Sequence, residues 1–406
     1  MSFILLSGLV AALLAAEMTT LAFPFVVRIA KAIRAMDYPG GRRSQKDAIP
    51  RLGGIAIAAG IAAGGILPNL LLWRHWGEKV TPLDMAALLG GTTLVFLVGV
   101  ADDALGLSPI KRLAVQVVAA SVVVYAGWGF SNLYIPFWGN VPLGMIGGLI
   151  TVVWIVGVTN AVNLLDGLDG LAGGVAAIIA TSLLVFACIQ ANILMVIVTS
   201  AVAGACLGFL RHNWAPARIY MGDSGSLTLG FLLAVMSLHA SIKGAATVAI
   251  LVPILALGLP IIDTILVMAV RFVESPQASH LRRFARMFKA DRNHLHHRMA
   301  RVAPQRKQIV LVIYFVAACF CAMALIVAVS RSAELGIALV IVEIAVVLLL
   351  RSVGAVREAQ ARSAQPQDAK RKRGSAQPQE MTAHYVELRH RGRSQTAPTL
   401  GSEIRE

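Results

Sequence analysis

Charge is scarce in this chain. Only 14% of its 406 residues are Asp, Glu, Lys or Arg, against about a quarter in ordinary soluble domains. That rules out a chain folded wholly in water. Cysteine is scarcer still. The four present, Cys188, Cys206, Cys319 and Cys321, fall in apolar segments, where a small polarizable side chain packs well. They form neither a disulfide framework nor a metal-type CxxC spacing. Acidic residues are fewer than basic ones, 21 against 36, for a formal charge of +15. A nucleic-acid partner is nevertheless not indicated, because the basic residues are distributed among loops and do not gather on one element. Before the first apolar run there is no basic leader, and no small-residue cleavage site follows it, so that run is expected to be retained.

Hydrocarbon is what the sequence has in excess: 57% of residues are hydrophobic and mean hydropathy is +0.73. A membrane-crossing helix needs about 20 mostly apolar residues. Spans can be drawn at roughly 3–27, 53–73, 85–101, 113–128, 141–159, 171–190, 192–210, 226–242, 245–270, 309–329 and 334–351. The expected fold is an all-α integral membrane protein of about eleven transmembrane helices. Lys and Arg collect in alternate loops: Arg28 to Arg51, Lys111 and Arg112, Arg211 and Arg218, Arg271 to Lys307, and the tail after Arg351. The largest exception is Arg74 to Lys79. By the positive-inside rule the basic set is cytoplasmic, the N-terminus external and the C-terminus internal. The odd span count agrees.

Residues 1–352 read as one polytopic domain. Residues 353–406, with SAQPQ repeated around a KRKR run, lack apolar periodicity and are expected to be a disordered basic cytoplasmic tail. No other internal repeat is visible, which disfavours a transporter built from inverted halves. The ninth span contains Pro253, Gly258 and Pro260, followed by Asp263. Proline removes a backbone donor, so this helix is expected to be broken or kinked.

Five polar clusters interrupt the hydrocarbon, all on the cytoplasmic side of the expected topology. "KDAIPRLGG" places Lys46 and Arg51 before paired glycines, an arrangement that lets a phosphate approach the backbone. "VGVADDALGLSPIKR" ends a helix on Asp102 and Asp103 and begins the next with Lys111 and Arg112. Adjacent carboxylates at a helix C-terminus are disfavoured by the dipole and by each other. A divalent cation, Lys111 or a shared proton would each relieve them. "NAVNLLDGLDGLAGG" sets Asn160, Asn163, Asp166 and Asp169 within ten residues. "HNWAPARIYMGDSGSLTLGF" places Asp223 in a turn before another span, as an N-cap or as a hard oxygen ligand for Mg²⁺. "DRNHLHHRMARVAP" carries Arg292, His294, His296, His297 and Arg298. No carboxylate or cysteine completes a zinc set there, so a polyanion or sugar site is favoured. Carboxylates for a hard cation, basic residues for phosphate and a membrane bundle together are the components of phosphoryl transfer to a lipid.

In their order, these motifs resemble the polyprenyl-phosphate N-acetylhexosamine-1-phosphate transferases (glycosyltransferase 4), which include the phospho-MurNAc-pentapeptide translocases. The resemblance runs from about Lys46 to Arg298 and implies a site at the cytoplasmic face of a bacterial plasma membrane. A UDP-N-acetylhexosamine would give its sugar 1-phosphate to a polyprenyl phosphate and release UMP. It implies Asp102, Asp103 and Lys111 as catalytic residues, and Asp223 and Asn163 as holding Mg²⁺, with Mn²⁺ as a substitute. Lys46, Leu164, Asp166, Asp169, Asn213 and Tyr220 would bind the nucleotide, with Tyr220 stacked on the uracil. Arg292, His294, His296, His297 and Arg298 would hold the sugar and phosphates, helped by Arg282, Arg283 and Arg286. The His-Leu-His-His-Arg form is similar to the N-acetylglucosamine branch, the WecA- and TagO-type enzymes, whereas translocases acting on MurNAc-pentapeptide carry three consecutive histidines. The partners implied are the nucleotide sugar, polyprenyl phosphate and the lipid bilayer. Dimers are common in the family, although no heptad or small-residue face in the sequence predicts one. A membrane transporter is the alternative of a different class, with Asp263 and Glu343 as its deep acids.

Overall fold

The computed structural model describes residues 2–38, 48–76, 81–135, 139–242, 250–273, 294–300 and 305–363. It is a bundle of helices: α1 (Ser2–Ala32), α2 (Gly53–Trp76), α3 (Pro82–Leu105), α4 (Pro109–Tyr125), α5 (Gly144–Leu165), α6 (Leu171–Ile189), α7 (Ile193–Asn213), α8 (Gly222–Ile242), α9 (Leu251–Ala256), α10 (Gly258–Val273), α11 (Leu295–Ala300), α12 (Arg306–Ser330) and α13 (Ala333–Ser363). Two short antiparallel ribbons, which the all-helical expectation did not include, join Met36–Asp37 to Ile49–Pro50 and Asn132–Ile135 to Gly139–Pro142.

Each expected apolar range overlaps a helix among the described residues. Among the described residues, seven helices are long and apolar enough to cross a membrane: α1, α3, α5, α6, α7, α12 and α13. Of the others, α4 has 17 residues, and the ninth range is divided into α9 and α10 at Leu257. Helix α13 runs on to Ser363, past the expected end of the membrane domain at 352. By compactness the chain divides after Ser352. The tail expected to be disordered lies outside the described residues from 364 onward.

Local chemistry sets the ends that matter for the site. Thr81 and Asp84 form a reciprocal capping box, and Pro82 opens α3 where a missing N–H costs nothing. The same helix ends at Gly106, whose φ of 68° and N–H bond to the Asp102 carbonyl close its last turn. Buried threonines return their hydroxyls to carbonyls one turn back, as Thr159 does to Ile155 at 2.6 Å and Thr199 to Met195 at 2.6 Å. Those hydroxyls are then not left facing hydrocarbon.

Helix α7 is the hub: 89% of its most apolar window is buried, against 28% for α1. Helix α1 can still lie close to it because Gly204 and Gly208 face the backbone of Ala12 and Ala16, where a Cβ would collide with their carbonyls. In the same way Gly64 of α2 meets the backbone of Ala11 and Ala15.

Candidate active site

The site begins with a backbone junction. The Tyr220 N–H donates to the Pro50 carbonyl at 2.8 Å, Gly53 N–H to the Tyr220 carbonyl at 2.9 Å, and Gly54 N–H to the Met221 carbonyl at 2.8 Å. The "RLGG" and "YMGD" motifs, far apart in sequence, therefore lie side by side. Gly222, at φ 72°, turns the chain into α8 in a space where a Cβ would strike the Arg51 carbonyl and the Asp103 carboxylate.

Helix α3 supplies the next component. The Asp103 carboxylate accepts the N–H of Asp223 at 2.8 Å and of Ser224 at 3.0 Å. It thus caps α8 from a neighbouring helix, where a negative charge meets the positive end of the dipole. Asp102 accepts the Leu107 N–H at 2.7 Å, and its second oxygen lies 3.3 Å from Nη1 of Arg112. The same Nη1 forms an ion pair with Asp223. Nδ2 of Asn163, from α5, donates to Asp223 at 3.1 Å and to the Ser226 hydroxyl at 2.8 Å. Two carboxylates from two helices converge on one cation, and an amide from a third helix holds one of them.

That cation comes from Arg112. Lys111, the expected catalytic partner, is exposed in the first turn of α4. One residue around a helix turns a side chain by about 100°, so only one of the adjacent pair can face the aspartates. The KR dipeptide signalled a cation but did not say which.

From Asn163 the chain passes into the turn 166–170. Asp166 is partly buried. Loss of water around its carboxyl pushes its pKa up to about 7, with repulsion from Asp103 and Asp169 adding to the rise and Arg51 opposing it. Asp169 accepts the Ala217 N–H at 3.1 Å. Beside it a shallow pocket is lined by Leu168, Trp214, Arg306 and Lys307 among others. Leu164 is exposed at the end of α5. Tyr220 is half-buried between the 48–54 and 221–223 segments.

Asn213, expected beside the nucleotide, is tied into the protein frame. It is buried, accepts the Gly170 N–H at 2.9 Å and donates to the Ile219 carbonyl at 2.7 Å. Its amide ties the aspartate turn to the loop before Asp223, a structural duty next to the site. Asn160 behaves likewise, donating to Gln116 at 2.5 Å and to the Val156 carbonyl at 2.8 Å.

The histidine motif forms α11 and its lead-in. His296 is 1% exposed, packs against Gly167, and leaves both ring nitrogens without a hydrogen-bond partner. Burial lowers its pKa to about 3; His297 and His294 depress it further, and Asp263 pulls the other way. His297 lies 4.2 Å from His296, ring to ring. Nε of Arg298 is buried and unpartnered. His294 is held by Asp263, which sequence reasoning had singled out only as a deep acid. Lys46, Arg282, Arg283, Arg286 and Arg292 lie outside the described residues.

No group of three or more His, Cys, Asp or Glu side chains among the described residues is disposed to hold a metal ion. Magnesium does not require one, because it takes one or two protein carboxylates together with substrate phosphates and water. Asp102 and Asp223, already sharing one positive group, are hard-oxygen donors that fit this pattern.

Acids at helix ends thus gather where membrane-length helices stop, the setting of an enzyme that works at a bilayer surface. The comparisons agree. A model described as "Glycosyl transferase family 4" matches residues 85–241. The chain is 32% identical over 327 residues to a probable undecaprenyl-phosphate N-acetylglucosaminyl 1-phosphate transferase of Bacillus subtilis (strain 168), covering 80% of this chain and 86% of the relative. A decaprenyl-phosphate N-acetylglucosaminephosphotransferase of Mycobacterium tuberculosis (strain ATCC 25618 / H37Rv) is 33% identical over 324 residues, covering 74% and 78%. A phospho-N-acetylmuramoyl-pentapeptide-transferase of Enterococcus hirae is 31% identical over 203 residues, covering 48% and 62%. The chain belongs to glycosyl transferase family 4. It is a multi-pass membrane protein.

Proposed function

We propose that the protein transfers N-acetylglucosamine 1-phosphate from UDP-GlcNAc to a polyprenyl phosphate, yielding polyprenyl-diphosphate-GlcNAc and UMP, at the cytoplasmic face of a bacterial plasma membrane. The observation that carries this is the convergence of Asp102 and Asp223 on Arg112, beside Asn163 and the aspartate turn. Relatives named as N-acetylglucosamine phosphate transferases match most of the chain, whereas the pentapeptide transferase matches about half. The His-Leu-His-His-Arg motif supports the same donor.

An oxygen of the lipid phosphate attacks the sugar-bearing phosphorus of the donor. The bond from that phosphorus to the bridging oxygen breaks, and UMP leaves with the electron pair. A phosphate monoester has a second pKa near 6, so at neutral pH the acceptor is largely a dianion and needs little activation. A covalent aspartyl intermediate is disfavoured by how the acids are used. Both oxygens of Asp103 already accept backbone N–H groups, and those of Asp102 accept the Leu107 N–H and Arg112. Each donor on a carboxylate oxygen lowers that oxygen's nucleophilicity.

Asp223, expected with Asn163 as the metal site and here joined by Asp102, would hold Mg²⁺, which would lend positive charge to the donor's diphosphate. Arg112 screens the same region, and Asn163 fixes the direction of Asp223. Asp169 and Tyr220 hold the uracil. A donor panel tests the reading: purified protein, Mg²⁺, undecaprenyl phosphate and several UDP-N-acetylhexosamines, with UMP and the lipid product identified. Release of UMP from UDP-GlcNAc is expected. Turnover of UDP-MurNAc-pentapeptide alone would replace the donor, and solute uptake without UMP release would replace the class.

A further inference from the structure

Asp263 lies in α10, just past the break at Leu257, and is 4% exposed. A carboxylate so placed should be costly, yet three donors from two other elements fill it. Oδ1 accepts the Leu295 N–H at 3.0 Å and Nη1 of Arg351 at 2.8 Å; Oδ2 lies 3.0 Å from Nδ1 of His294. Arg351, from α13, is itself buried. Such a buried ion pair is seldom worth more to stability than apolar side chains of the same volume. Its value lies in fixing a register.

Here the register is that of the histidine helix. An imidazole whose Nδ1 faces a carboxylate carries its proton there, which turns Nε2 into the acceptor and sets the ring plane. The His294 ring is stacked 6.1 Å from that of His296, and His296 rests on Gly167 in the aspartate turn. The contact chain therefore runs from α13 through Asp263 to α11 and ends beside Asp166.

We propose that Asp263 and Arg351 are positioning residues for the donor. They touch no substrate, but they fix the His294 tautomer and seat α11 against the aspartate turn, and so set affinity for the sugar-diphosphate half of the nucleotide sugar. This rests on reading α11 as part of the donor site.

The test pairs kinetics with hydrogen exchange on full-length protein in lipid nanodiscs. Asp263→Asn should raise KM for UDP-GlcNAc about tenfold or more, the scale of a lost charge-assisted hydrogen bond. Its kcat should stay within about threefold, and KM for undecaprenyl phosphate should not move. Arg351→Met should do the same, and Arg351→Lys should restore most of the loss. Combining Asp263→Asn with Arg351→Met should cost less than the sum of the two, because neither charge is then left alone. Exchange in residues 294–300 should quicken in Asp263→Asn while residues 222–230 keep their protection. An unchanged donor KM, a loss confined to kcat, or loosening across the whole bundle would each overturn the proposal. If the wild type releases no UMP from UDP-GlcNAc, the transferase reading fails and the exchange pattern alone decides the seating. If the wild type turns over normally and the variant's donor KM is unchanged, only this inference fails.

Discussion

The carboxylate cluster of α3, α5 and α8 and the histidine cluster of α10, α11 and α13 are built on opposite principles. In the first, the acids already have protein partners: Asp103 has two backbone N–H groups, Asp102 has Leu107 and Arg112, and Asp223 has Arg112 and Asn163. In the second, only the lead-in is closed, through Asp263. Both ring nitrogens of His296, Nε of Arg298 and Nη2 of Arg351 are buried without a partner. Unpaired buried polar groups are costly, so these atoms keep hydrogen-bonding capacity, whereas the acids of the first cluster are already engaged. On the proposed reading, the first end would fix the geometry of transfer and the second would meet the donor.

The contrast can be broken most directly at Asp223. Asp223→Asn should cut UMP release by about 10² to 10³-fold, the scale of losing a group aimed at transition-state charge, with little change in thermal midpoint; wild-type turnover would remove Asp223 from the site. Next in size is the Lys111 and Arg112 pair. Arg112→Met should cost about 100-fold in kcat/KM and Lys111→Met less than about threefold, and the reverse order in a steady-state assay would restore Lys111. Asn213→Ala should lower stability by about 2–3 kcal/mol through two buried hydrogen bonds, read as a drop in thermal midpoint. Tyr220→Ala should instead raise donor KM with the midpoint nearly intact. If both variants behave alike, the division between structural amide and binding ring is wrong.

The smallest effect is one of pH. His296 is held well below the ordinary imidazole pKa, at about 3. Lowering pH from about 6.5 toward 3 protonates this residue in the unfolded chain before the native one, so native stability falls across that window and is insensitive above it. His296→Gln should flatten the acid-side loss in midpoints measured from pH 8 to 5. An unchanged slope would show that His296 is not the group responsible.

Most of the bundle was legible because hydrocarbon length is a direct physical signal; the apolar runs and the motif order needed no tertiary information. What could not be read depended on which way a side chain faces. Arg112 and Lys111 are equivalent in sequence and separated only by helical phase. Asn160, Asn163 and Asn213 look alike as polar residues near spans, yet two of them bond within the protein frame, and only Asn163 reaches Asp223. Asp263 was visible as a misplaced acid, but its partners lie 31 and 88 residues away, and no local pattern could join them.

The glycines around Asp223 bear on how such an enzyme can diversify. Gly54, Gly99 and Gly222 stand in contact with Ser224, Gly225, Arg51 and Asp103, and each already has the smallest side chain there is. Any substitution adds volume where backbone meets backbone, so mutation has no direction in which to retune this end of the cavity. On the proposed reading, variation in the donor sugar would then be drawn from the histidine end, where side chains can be exchanged, and the transfer geometry would stay fixed while substrate preference drifts around it.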